Sequence, residues 1–167
     1  MWKLSFNKIP EAPRKVERFN GKTTVVTLTA SINLPKDFVV SLPPKVFNWA
    51  VNHSNPLVSI NFGNCMMIIS AKGKAIRKDE DEDQPLLGER IAECKAKMKI
   101  YGFMETFLKK YLEYYNNLLL GKDGMVENPI IFGRDSVGYF HGRMSQLWTS
   151  TYGKLQLLLL KLEKSED

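Results

Sequence analysis

Hydrophobic and polar positions alternate through the first half of the chain and recur every three to four residues through the second. Trp2, Leu4 and Phe6 alternate with Lys3, Ser5 and Asn7, the pattern of a half-buried strand, and Pro10 and Pro13 end it. After the turn pair Asn20-Gly21 comes the clearest strand. Thr24, Val26, Leu28, Ala30 and Ile32 form one face, and Thr23, Val25, Thr27, Thr29 and Ser31 form the other. One face is core and the other is polar and β-branched, so the sheet is expected to leave a side to solvent. A short strand is expected over 38–42. Pro43-Pro44 then suits the first turn of a helix over 45–52, because proline sacrifices no helical hydrogen bond there. Two further strands, 57–62 and 65–71 with a continuation to 76, flank Gly63-Asn64, which reads as a two-residue hairpin turn.

Between 87 and 120 the chain has no proline. Ile91, Cys94, Met98, Tyr101, Met104, Phe107, Leu108, Tyr111, Tyr115, Leu118 and Leu119 recur there at close to helical spacing. Gly102 marks a bend or a close contact, and Gly121 supplies the stop. A last helix is predicted over 145–164, with Trp148, Tyr152, Leu155, Leu159 and Leu162 on one stripe. The segment before it, 130–143, is expected to be a loop. The architecture that follows is α+β: an antiparallel sheet from the N-terminal half, with a long and a shorter helix packed on one face. With no repeat and no linker, residues 1–167 form a single domain, β-rich over 1–78, an acidic turn over 79–85 and helical over 86–167.

Composition narrows the class. Hydrophobic residues make up 44% and charged residues 25% of 167, proportions of a globular chain rather than a disordered one. No apolar run approaches the roughly 20 residues that cross a bilayer, and the N-terminus carries no signal-peptide core. A cytoplasmic location follows as the expectation, and Cys65 and Cys94 are then reduced thiols.

Charge changes the picture more. The chain carries 24 basic and 18 acidic side chains, a net of +6. Residues 1–78 hold 12 of the basic and only 3 of the acidic ones, a local net of +9. Asp79, Glu80, Asp81, Glu82 and Asp83 follow at once, and the remainder is close to neutral. A cationic half attracts phosphates, nucleic acid or an acidic protein surface.

Two constellations could meet such partners. Residues 130–143 combine three glycines, two arginines and a run of rings. Glycines let backbone amides approach an anion, arginine forks match phosphate oxygens, and rings stack on bases. Arg134, Tyr139, His141 and Arg143 are the candidate ligand-binding residues there. The second set is Lys22, Lys45, Lys72, Lys74, Arg77 and Lys78, a nucleic-acid-binding alternative drawn from the cationic half. A third track interleaves Lys95, Lys97, Lys99, Lys109 and Lys110 with Tyr101, Tyr111, Tyr114 and Tyr115 along the long helix; its tyrosines mostly share the apolar stripe and read as core or as a subunit contact. Cys65, Cys94, His53 and His141 lack the spacing of a zinc site. The acidic run lacks that of a calcium loop. No nucleophile elbow or other catalytic set is present, so the expectation is a non-enzyme with no metal and no cofactor.

One local pattern has a counterpart elsewhere. Residues 73–96 reduce to G-x-A, an acidic stretch, then G-x-x-I-A-x-x-x-A, carried by Gly73, Ala75, Gly88, Ile91, Ala92 and Ala96. This junction resembles one in small accessory proteins of bacteriophages, where a strand runs through an acidic turn into a helix. Proteins with a similar junction include sponges that counter the bacterial Thoeris defence by sequestering a cyclic nucleotide. The acidic run here is longer, and Lys95-Ala96 stands where the pattern has Arg-Ala, so no site residue transfers. The resemblance implies a phage-encoded anti-defence protein that inhibits host immunity by sequestering an anionic ligand or a defence component. A nucleic-acid-binding accessory protein, or an interaction inhibitor or virion component without a nucleotide, are the alternatives. Self-association through the aromatic and leucine-rich helices is expected in each case.

Overall fold

A computed structural model of the chain describes residues 5–6, 14–34, 36–40, 42–78, 84–120 and 128–164. The elements are β1 (Ser5–Phe6), β2 (Arg14–Phe19), β3 (Thr23–Asn33), α1 (Lys36–Val40), α2 (Pro44–Val51), β4 (Leu57–Asn61), β5 (Met66–Ile76), α3 (Pro85–Leu120) and α4 (Asn128–Lys164). The expected α+β class holds, with the antiparallel sheet in the N-terminal half and the helices on one side of it. Of the first predicted strand, Trp2 and Leu4 lie outside the described residues, as does the acidic run 79–83.

The sheet is built around β3. β5 pairs with it along its whole length, from Thr23 opposite Ile76 to Asn33 opposite Met66. On the other side of β3, β1 pairs with Ile32 and Asn33 while β2 pairs with Thr23 to Leu28. β4 completes the order beyond β5. Alternation decides the faces as predicted: Val26, Leu28, Ala30 and Ile32 are buried beneath the helices, and on β5 so are Met67, Ile69, Ala71 and Ala75.

β2 has no counterpart among the predicted strands. Its residues on the helix-covered face are Arg14, Val16 and Arg18, opposite Leu28, Val26 and Thr24. Inward charges are characteristic of an edge strand, and they erase the apolar alternation by which strands are recognised. Arg14 finds partners on α3, with its guanidinium 3.3 Å from Glu89 and 3.7 Å from Glu93. The turn into β3 does use Asn20-Gly21. Both have positive φ, 54° and 66°, and the Lys22 N–H donates to the Phe19 carbonyl at 3.1 Å, a primed turn whose twist suits a hairpin.

Two further local expectations are corrected. Residues 38–40 are helix rather than strand; α1 covers 36–40. Leu34, Phe38 and Leu42 are all buried and lie four residues apart, and Phe38 stacks on Tyr111 with ring centroids 4.2 Å apart. A spacing of four is helical rather than alternating. The β4–β5 connection is a four-residue turn, 62–65, in which Cys65 rather than glycine takes the positive φ, 52°. The Asn61 side-chain oxygen accepts from the N–H groups of Gly63 and Asn64, at 2.8 and 3.3 Å, and closes the turn in place of backbone alone. α2 forms where the prolines predict it, with Pro44 at its first position.

α3 is the centre of the molecule, 36 residues long, or roughly 54 Å at 1.5 Å per residue. One side meets the sheet through Ala92 and Ala96, and further along, Phe103 and Phe107 join Phe38 and Trp49 in a ring cluster. The opposite side receives α4. Burial on two sides explains why the apolar stripe of α3 is so broad. Tyr101 and Tyr111 belong to this core, as their place on the stripe predicts.

α4 is a 37-residue helix. Its start at Asn128 replaces the expected loop over 130–143. Phe140, Met144, Leu147, Thr151 and Leu155 are buried or half-buried, an i, i+4, i+7 series that extends the apolar stripe upstream of Ser145. Packing on α3 outweighs the glycines, whose cost is roughly 1 kcal/mol each relative to alanine.

Candidate nucleic-acid interface

β4 covers β5 only as far as the Leu57–Ser70 pair. Beyond it, no strand among the described residues lies beside the flank of β5 that faces away from β3. Side chains satisfy this exposed edge instead. Asn55 imitates a neighbouring strand: its Oδ1 accepts from the Lys72 N–H at 3.0 Å, and its Nδ2 donates to the Lys72 carbonyl at 3.3 Å. Lys99 also donates to the Lys72 carbonyl, at 2.7 Å, and Lys95 donates to that of Lys74, at 3.0 Å. Two ammonium groups from α3 are thereby fixed along the strand edge. An ammonium that makes one such bond keeps further N–H donors. Burial, and secondarily the charge of Lys95, push the Lys99 pKa down.

The side chains of Lys72 and Lys74 project from the face opposite the helices, and both are exposed. Strand register sets their neighbours. One row across the sheet is Lys15, Thr27 and Lys72; the next is Glu17, Val25 and Lys74; the last is Phe19, Thr23 and Ile76. Glu17 is the acidic member, and Lys15 stands 3.5 Å from it. Phe19 and Ile76 are 49% and 66% exposed, which makes an apolar end to a basic and hydroxyl-rich face. The β2–β3 turn is tied to the end of β5 by the Arg77 N–H, which donates to the Lys22 carbonyl at 2.7 Å. Lys22, Arg77 and Lys78 consequently sit at the same end as Lys74.

Of the six predicted nucleic-acid residues, the fold thus gathers Lys22, Lys72, Lys74, Arg77 and Lys78. Lys45 stands apart on α2, whose Phe47 packs against Phe62 beyond the far end of β4. Lys95 and Lys99 join the patch from α3. In the sequence those two belong to a separate helical track, and nothing short of the α3–β5 packing brings the two sets together.

Arg134, Tyr139, His141 and Arg143 are all on α4 rather than on a loop. Tyr139 and Arg143 are one turn apart and exposed, so they share a face. His141 lies two residues from each, on the side toward α3. Its Nε2 is buried without a hydrogen bond, 3.9 Å from a Glu105 carboxylate oxygen. On a helix, side chains at i and i+2 do not face each other.

Among the described residues no group of three or more His, Cys, Asp and Glu is placed to hold a metal ion, and no helix is long and apolar enough to cross a membrane. Comparison with protein-family models, curated proteins and solved structures yields no match to this chain.

Proposed function

We propose that the protein is a non-catalytic nucleic-acid-binding protein that holds a phosphate backbone along the open edge of β5. One observation carries this reading: Lys72, Lys74, Lys95 and Lys99 stand along that edge and its adjoining face, and Lys22, Arg77 and Lys78 lie at the same end of the strand. A chain of cations beside an exposed aromatic is the arrangement that tracks a single strand, with charge on the phosphates and a ring for a base. The contacts so supplied are to backbone rather than base edges, so sequence preference is weak. In the phage setting that the strand-to-helix junction's resemblance implies, such binding would inhibit host immunity by withholding an anionic ligand from a defence component.

The test is fluorescence anisotropy of a labelled oligo(dT) strand and a duplex of equal length across a salt series. Neutralising four to seven phosphates gives a log–log salt slope of roughly −3 to −5 for the single strand. The double charge reversal K72E/K74E should weaken binding by at least about tenfold. A parent protein that fails to bind either oligonucleotide at about 50 mM salt rules the reading out.

A further inference from the structure

On the β2 side of α3, the first half of α3 and the last third of α4 part to leave an open groove of about 320 Å³. Arg90 and Lys97 line it from α3, and Lys154 and Lys161 line it from α4. Glu93, the acidic residue of the lining, stands 3.7 Å from Arg14 and 3.6 Å from Lys97. Arg90, Lys154 and Lys161 have no ion-pair or hydrogen-bond partner among the described residues. Lys154 and Lys161 are two turns apart on one helical face, roughly 10 Å along the axis. Between the charges the surface is apolar, formed by Cys94, Leu157 and Leu158.

Three cations around one concavity repel one another, and a ligand with two or more negative charges relieves that repulsion. A single carboxylate supplies too little charge, whereas phosphoester and polyphosphate oxygens match both arginine and lysine donors. A bare ion makes no use of the apolar floor, but a base or comparable flat organic group covers it. The volume lies at the lower end of the range for small-molecule sites. We propose that this groove is a binding site for an organic phosphate of nucleotide size. Arg90, Lys154 and Lys161 hold its phosphates, and Cys94, Leu157 and Leu158 carry its organic part. The site is distinct from the basic edge of β5, which lies on the other flank of α3.

The experiment is titration of the full chain with mant-ATP, with ATP and inorganic pyrophosphate as competitors. Saturable binding is expected, reversed by ATP, with pyrophosphate at least about tenfold weaker because it leaves the floor uncovered. K154E/K161E should lose at least about tenfold in affinity while K72E/K74E retains it. Both lysines of the first pair are exposed, and an unchanged circular dichroism spectrum certifies the fold; R90E gives an independent reversal on the opposite wall. The proposal is overturned if the parent shows no saturable binding, or if K154E/K161E and R90E bind as the parent does. Pyrophosphate competing as well as ATP overturns it too, since the groove would then be a bare anion patch.

Discussion

Gly73 of β5 lies against the backbone of α3 at Ala92. A Cβ built on Gly73 would stand 1.8 Å from the Ala92 carbonyl oxygen and 2.5 Å from the Ala96 nitrogen. No side chain can occupy that space, so strand and helix meet backbone to backbone. The flanking Ala71 and Ala75 are buried in the same row of β5. This contact is the physical content of the G-x-A and I-A-x-x-x-A elements at the strand-to-helix junction. It also brings α3 near enough for Lys95 and Lys99 to reach the carbonyls of β5, so the packing and the candidate interface are one arrangement.

Gly73→Ala should therefore be severe. The obstacle is backbone, which cannot rotate away as a side chain could, and overpacking of this kind costs about 3 kcal/mol. For a chain of this size the expected drop in Tm is roughly 6–12 °C. A melting temperature within a degree or two of the parent would contradict the close approach.

Gly138→Ala and Gly142→Ala should act in the opposite direction. A Cβ at either position meets nothing within 4 Å, and both lie inside α4. Each substitution should stabilise by about 0.5–1 kcal/mol through helix propensity. If the segment were the glycine-rich anion loop that its composition suggests, the same changes would reduce ligand affinity and leave stability flat or lower. Thermal melts of the two variants distinguish these outcomes.

Asn55→Ala should loosen the edge of β5. Both backbone groups of Lys72 bond to the Asn55 side chain. Losing these partly solvated bonds costs about 1 kcal/mol, and the bare edge becomes a template for pairing with another chain. Faster amide exchange at Lys72 and greater aggregation on heating are expected; exchange equal to the parent's would show that Asn55 does not guard the edge.

Alkaline pH should destabilise the fold. Burial raises the pKa of the Cys94 thiol from 9.0 and of the Tyr101 phenol from 10.0. In both cases the folded chain holds its proton at a pH where the unfolded chain has released it. Their contribution is fully present below pH 9 and is lost as pH climbs through the raised values. Lys99 works the other way, since its lowered pKa means that strain on its charge is relieved as pH rises. Chemical denaturation from pH 8 to 11 should therefore show stability falling more steeply in the parent than in Cys94→Ala or Tyr101→Phe. Iodoacetamide at pH 8 should modify half-buried Cys65 well before Cys94.

Legibility in the sequence followed burial. β3 announced itself because one face is wholly inside and one outside, and α2 because two prolines mark its start. The β2 strand did not, because Arg14 and Arg18 occupy core-side positions at an edge where Glu89 and Glu93 can answer Arg14. The glycines and arginines of 130–143 carried a stronger local loop signal than the Phe140-Met144-Leu147 stripe carried for helix. Only the presence of α3 beside that stripe reverses the balance. Among the candidate residues, Lys72 and Lys74 could be placed on a common strand face from spacing alone, whereas Arg134, Tyr139, His141 and Arg143 were united only by nearness along the chain.

The amino-acid pattern alone determined the α+β class, the core-facing side of the sheet, the long helix and the cationic character of the first half. These depend on periodicity and charge, which are properties of neighbouring residues. Tertiary structure decided which cations stand together. Lys95 and Lys99 come to the β5 edge, and Arg90 comes to share a groove with Lys154 and Lys161, because Gly73, Ala92 and Ala96 let α3 settle onto the sheet and α4 settles onto α3. Charges far apart in the chain acquire a common field only when packing fixes the distance between them, and no local pattern encodes that distance.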